Sequence, residues 1–179
     1  RLALDGRELD RDAMAAMLAD WIDRYPILSI EDPFAEDDRV AWIRFAEAVG
    51  RRVQIVGDDY LTTSASQVDR AALDHACNAV LVKPNQAGTL TEARAALDAG
   101  RRHGFGTIVS ARSGESEDVT IAHLAVGWNA GQLKVGSFAR SERMAKWNEV
   151  LRIEEALGNG AAFAGIGALP IRRPVRTNG

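Results

Sequence analysis

Two carboxylates and three cations in this 179-residue chain each close a short apolar run. Ile27-Leu28-Ser29-Ile30 leads into Glu31, Val53-Gln54-Ile55-Val56-Gly57 into Asp58, and Ala79-Val80-Leu81-Val82 into Lys83. Thr107-Ile108-Val109-Ser110-Ala111 leads into Arg112, and Gln132-Leu133 into Lys134. The steps between these charges are 27, 25, 29 and 22 residues, each the length of a strand plus a helix. Continuous Val/Ile/Leu runs mark strands buried on both faces of a parallel sheet. In a β/α barrel the groups that do chemistry sit at strand C-termini. The five charges therefore converge on one mouth.

Glu31 and Asp58 are each followed by a further carboxylate, Asp32 and Asp59. Uncompensated, these acids would repel one another and take up protons. A hard divalent cation resolves the conflict, and oxygen donors with no Cys or His beside them favour Mg²⁺. Acids at a strand-to-helix junction also cap helices, but capping leaves Lys83, Arg112 and Lys134 at the same mouth unexplained. Three cations there suit a polyanion. Arg112-Ser113-Gly114 at a strand-to-helix turn offers a guanidinium fork, a hydroxyl and backbone N–H groups to a phosphate or carboxylate. A lysine crowded by other cations and a metal loses its proton readily and serves as a base. This equipment fits removal of a proton α to a carboxylate, where extra negative charge develops beside the metal.

Helical patterns alternate with the runs. Asp10 to Arg24 places Met14, Met17, Leu18, Trp21 and Ile22 at helical spacing before Tyr25-Pro26. Asp37 or Asp38 opens a second helix through Trp42, Phe45 and Val49 that ends at Gly50. Ser64 with Gln67, and Thr89 with Glu92, have capping-box spacing ahead of the next two. Glu117–Trp128 and Ser141–Leu157 read as the last helices. Residues 1–158 thus form one barrel-type unit. Residues 159–179, rich in Gly, Ala, Pro and Arg, read as a mobile C-terminal tail with too little periodic apolar content to fold alone.

Composition narrows the function. A net charge of −3 argues against nucleic acid or an anionic membrane as partner. No apolar stretch approaches the ~20 residues of a membrane span, and a reducing cytoplasm suits a chain with one cysteine, Cys77, which reads as a buried hydrophobe. His75, His103 and His123 fall in or at the ends of helices, away from the strand tips, and are set aside as metal ligands. The four tryptophans read as core or interface residues. Five such strands do not close an eight-stranded barrel, and the chain begins without Met, so the expectation is the C-terminal part of a longer polypeptide.

The segment Ser29-Ile30-Glu31-Asp32-Pro33-Phe34-Ala35-Glu36-Asp37-Asp38 resembles enolase, phosphopyruvate hydratase. So do Gln54-Ile55-Val56-Gly57-Asp58-Asp59, Lys83-Pro84-Asn85-Gln86-Ala87-Gly88-Thr89-Leu90-Thr91-Glu92 and Arg112-Ser113-Gly114-Glu115-Ser116-Glu117-Asp118. Gly131-Gln132-Leu133-Lys134, the run from Arg140 to Asn148, and Arg152-Ile153-Glu154-Glu155 continue the likeness, which spans roughly residues 12 to 158. It implies an α/β fold, the C-terminal part of an enolase-type (β/α)8 TIM-like barrel, incomplete in this chain. Enolase-superfamily sites use a Lys or His base with one or two Mg²⁺.

Carried onto this sequence, the resemblance makes Glu31 and Asp58 ligands of Mg²⁺ and Lys83 the base that takes the C2 proton of 2-phosphoglycerate. Arg112 and Ser113 would hold the phosphate, and Lys134 the substrate carboxylate. The family's third metal ligand and its general-acid glutamate belong upstream, and Asp5 lies too close to Glu31 for the family's spacing. The implied protein is a cytoplasmic, homodimeric or higher homo-oligomeric carbon-oxygen lyase of glycolysis. Ser110-Ala111-Arg112-Ser113-Gly114-Glu115 departs from the family's Ser-His-Arg-Ser-Gly-Glu, with alanine in place of an active-site histidine. Ser64-Ala65 replaces Asn-Pro, and Pro84 stands where Val is usual. Two rivals follow: an enolase-like enzyme working on a related phosphorylated or phosphonate acid, as in carboxyphosphonoenolpyruvate formation, and a non-catalytic scaffolding paralogue. Intact Lys83, Glu31 and Asp58 argue against the scaffold.

Overall fold

The computed structural model describes residues 2–4 and 7–171. Asp5 and the end of the tail, 172–179, lie outside the described residues. A short antiparallel hairpin, β1 (Leu2–Leu4) with β2 (Arg7–Leu9), opens the chain. Five parallel strands follow: β3 (Ser29–Glu31), β4 (Gln54–Gly57), β5 (Ala79–Val82), β6 (Gly106–Ser110) and β7 (Gly131–Lys134). They lie side by side in chain order, a half-barrel of repeating strand–helix units. Every position of β4, β5 and β6 is buried, whereas β3 and β7, at the two edges, are not buried at any position. The apolar runs read from the sequence are these strands.

The helices are α1 (Arg11–Arg24), α2 (Arg39–Val49), α3 (Ala65–Leu73), α4 (Pro84–Ala87), α5 (Leu90–Arg102), α6 (Thr120–Gly127) and α7 (Ser141–Leu157). Asp10 caps α1 through Ala13 N–H, Asp38 caps α2 through Ala41 N–H, and Gly50 ends α2. The Thr89–Glu92 capping box forms: Thr89 Oγ1 accepts Glu92 N–H and donates to Glu92 Oε2. The Ser64–Gln67 box does not. Ser64 makes no side-chain cap bond, its hydroxyl being taken up with Ser66 Oγ at 3.0 Å. Helix α6 starts three residues later than its sequence pattern, because Asp118 turns back to accept Thr120 N–H.

The core lies between sheet and helices, built from Trp42, Phe45, Ile55, Val68, Val80, Val82, Leu97 and Val109 among others. Fully burying one such large apolar side chain contributes about 1.5–3 kcal/mol. Trp42 is wholly buried, stacks on Tyr60 at 4.2 Å and donates its indole N–H to Ala35 O. Asn78 locks the entry to β4, accepting Ile55 N–H and donating to Gly50 O and Val53 O. Residues 158–160 and 165–168 form 3-10 turns, and Ala168 O accepts Gln132 Nε2. Gly106 allows this approach, since a Cβ there would meet Pro170 Cδ at 2.9 Å. No helix among the described residues is long and apolar enough to cross a membrane.

Candidate active site

Each strand delivers one charged group to the same mouth. Glu31 and Lys134 end β3 and β7, Asp58 and Lys83 directly follow β4 and β5, and Arg112 lies two residues past β6. Glu31, Asp58, Lys83, Arg112, Ser113 and Lys134 all line one cleft of about 640 Å³, together with Ala111, Val135, Gly136 and Arg143. Every candidate residue read from the sequence is therefore brought together.

The acids are paired with the lysines. Lys83 Nζ donates to Asp58 Oδ2 at 2.6 Å, and both side chains are largely buried. Lys134 Nζ reaches both Glu31 oxygens, at 2.5 and 2.6 Å, across the opening between the two edge strands. Asp58 Oδ1 is buried and has no hydrogen-bond partner. An orphaned carboxylate oxygen of this kind is costly unless something completes it. With oxygen donors alone around it, the site fits a hard divalent cation.

Asp32 belongs to this cluster in a way the sequence did not reveal. One oxygen each of Asp32, Asp58 and Asp59 fall within 4.8 Å of one another. Asp32 Oδ1 accepts Asp58 N–H and Oδ2 accepts Asp59 N–H, both at 2.9 Å. Its carboxylate thus orients the backbone that carries Asp58. Burial holds the Asp32 carboxyl above the ordinary carboxylate range, the two N–H bonds oppose this, and the charges of Asp58 and Asp59 add to the rise. Gly57 serves the same turn: a Cβ there would lie 2.5 Å from Leu61 Cγ.

Thr63, buried at φ +54°, accepts Lys83 N–H on Oγ1 at 3.0 Å and donates to Gln86 Oε1 at 2.7 Å. It fixes the point at which β5 passes into α4, a short helix absent from the sequence reading. The histidines stay out of the site: His103 pairs with Asp69 at 2.8 Å and His123 with Glu149 at 2.9 Å. Ala111 is buried in the cleft wall, its N–H donating to Lys134 O at 2.9 Å.

A parallel β/α half-barrel with acids, lysines and an arginine gathered at its strand C-termini defines part of a TIM-barrel domain. Residues 4–170 match the family described as enolase, C-terminal TIM barrel domain, and the chain belongs to that family. It is 50% identical over 163 residues to Enolase 1 of Desulfitobacterium hafniense (strain Y51), covering 91% of this chain and 37% of the relative. The chain thus spans little more than a third of that curated relative.

Proposed function

We propose that this chain supplies the base, two metal ligands and the anion clamps for Mg²⁺-dependent conversion of 2-phosphoglycerate to phosphoenolpyruvate. The observation that supports this reading is the convergence of all six candidate residues on one cleft that also contains an unpartnered buried carboxylate oxygen, Asp58 Oδ1. Glu31 and Asp58 would hold Mg²⁺, which when bound stabilises the extra negative charge developing on the substrate carboxylate. Lys83 takes the C2 proton onto Nζ, from a position fixed by Thr63 and by Asp58. Lys134 orients the substrate carboxylate. Arg112 and Ser113, exposed on the loop after β6, hold the phosphate. The C3 hydroxyl then leaves as water, with its proton from an acid that the family resemblance places upstream.

The test is isotope exchange in the full-length protein. Wild type with Mg²⁺ in deuterated water should wash out the C2 proton of 2-phosphoglycerate, and Lys83→Ala should abolish the exchange. Continued exchange without Lys83 would assign the base elsewhere. Ala111 favours a second reading, because a methyl group lines the cleft where the family carries an imidazole. In that reading the same proton abstraction serves a related phosphorylated or phosphonate acid of different bulk at its phosphate end.

A further inference from the structure

Lys146, on α7, is fully buried, and the reaction proposed above makes no use of it. A buried ammonium is retained only where its donors are matched. Lys146 Nζ donates to Ser116 O at 2.7 Å and to Glu142 O at 3.0 Å, and pairs with Glu115 Oε2 at 3.1 Å. The other oxygen of that carboxylate, Glu115 Oε1, accepts Arg112 N–H at 2.8 Å. One carboxylate therefore joins a buried cation to the backbone of Arg112, which lines the cleft.

We infer that Lys146 is a positioning residue, acting through Glu115 to hold the 112–116 loop in the shape that lets Arg112 and Ser113 grip an anion. Residues 112–119 belong to no helix or strand, and the last backbone tie of β6 to β7 is Ala111 N–H to Lys134 O. Arg112 and Ser113 are themselves exposed. An exposed guanidinium on a loose loop would have to be ordered each time an anion binds, and that ordering costs affinity. Tethers from the buried side of the loop remove the cost in advance. Arg143, one turn earlier on α7, adds a second tether by donating to Ser113 O and Val135 O. The inference rests on the proposed function only for the identity of the anion.

Two neutral double variants in the full-length protein isolate the relay. Lys146→Met with Glu115→Gln keeps an acceptor for Arg112 N–H, whereas Lys146→Met with Glu115→Ala removes it. Neither leaves an unpaired buried charge. Inorganic phosphate is titrated calorimetrically, with Arg112→Ala as the control that assigns the heat to this loop. The glutamine double, which lacks the buried cation, should bind phosphate about threefold more weakly than wild type, and the alanine double, which lacks the acceptor as well, about tenfold more weakly than wild type. With 2-phosphoglycerate, its KM should rise by a similar factor while kcat changes less than about threefold. A glutamine double that binds phosphate as tightly as wild type, with only its thermal stability lowered, would reduce Lys146 to a structural residue and overturn the inference. Wild-type protein that binds phosphate through Arg112 yet never turns over 2-phosphoglycerate would sink the proposed substrate and leave the relay standing.

Discussion

Lys83 Nζ and Asp58 Oδ2 lie 2.6 Å apart, so the proposed base and a proposed metal ligand form one ion pair. Glu31 and Lys134 repeat the arrangement across the cleft. Each acid proposed to bind Mg²⁺ is paired with a lysine, and Mg²⁺ would compete with that lysine for the carboxylate. Asp58 Oδ1 remains the oxygen no lysine has claimed.

That competition gives opposite signs for two substitutions. Asp58→Asn or Glu31→Gln should weaken Mg²⁺ at least about a hundredfold, beyond what loss of an outer partner costs. Lys83→Met should instead tighten Mg²⁺ in the absence of substrate by roughly five- to tenfold, since it removes a competing positive charge at contact distance. Calorimetric Mg²⁺ titration of the full-length variants reads both. Unchanged affinity in Glu31→Gln and Asp58→Asn would remove the metal assignment.

Asp32 should behave as an orienting carboxylate. Both its oxygens are committed to the N–H groups of Asp58 and Asp59. Asp32→Ala should lower Mg²⁺ affinity by about 10–100-fold, the usual cost of losing a group that orients a ligand. Asp32→Asn, which keeps one acceptor, should cost less. An alanine variant that folds and titrates like wild type would show that the turn holds its shape unaided.

The strands and the five charges at their ends were legible because buried parallel strands write themselves as uninterrupted apolar runs, each closed by a charge. Family motifs around Glu31, Asp58, Lys83 and Arg112 made the family legible too. The supports were not. Thr63 reaches Lys83 across 20 residues, Asp32 reaches Asp58 across 26, and Lys146 reaches Ser116 across 30. A threonine, a second aspartate and a helical lysine carry no local periodicity that announces such partners. The Ser64–Gln67 spacing misled for a related reason: Ser66 lies close enough to take the Ser64 hydroxyl.

Cys77 should make stability pH-dependent at the alkaline end. Burial pushes its thiol up to about 12, from an ordinary value near 9. The unfolded chain therefore releases this proton at lower pH than the folded protein does. Cys77 contributes fully below about pH 9, and the contribution is lost as pH rises from there toward 12. Urea unfolding of wild type and Cys77→Ala should show a gap between the two that shrinks across this window. Tyr60, its phenol raised by burial, also titrates at the alkaline end, so the difference between the proteins is the quantity that matters. A gap that stays constant with pH would mean the thiolate is tolerated in place.

Ala111 should decide which acid the cleft accepts. It is buried beside Arg112 and its backbone is tied to Lys134, so a side chain added at Cβ has little freedom to leave the cleft. If 2-phosphoglycerate is the substrate, Ala111→His should raise kcat, because an imidazole is restored at the reacting end. Positioned acid–base or electrostatic contacts of this kind are worth roughly 10²–10⁴-fold, less where neighbours have packed around the methyl group. If the substrate is a bulkier phosphorylated or phosphonate acid, the same imidazole should fill space that the substrate needs and damage the native reaction. Steady-state assays of the full-length protein with each candidate acid therefore return opposite signs for one substitution. No change with either acid would make Ala111 peripheral, and the cleft would then be read as an enolase site without qualification at its phosphate end.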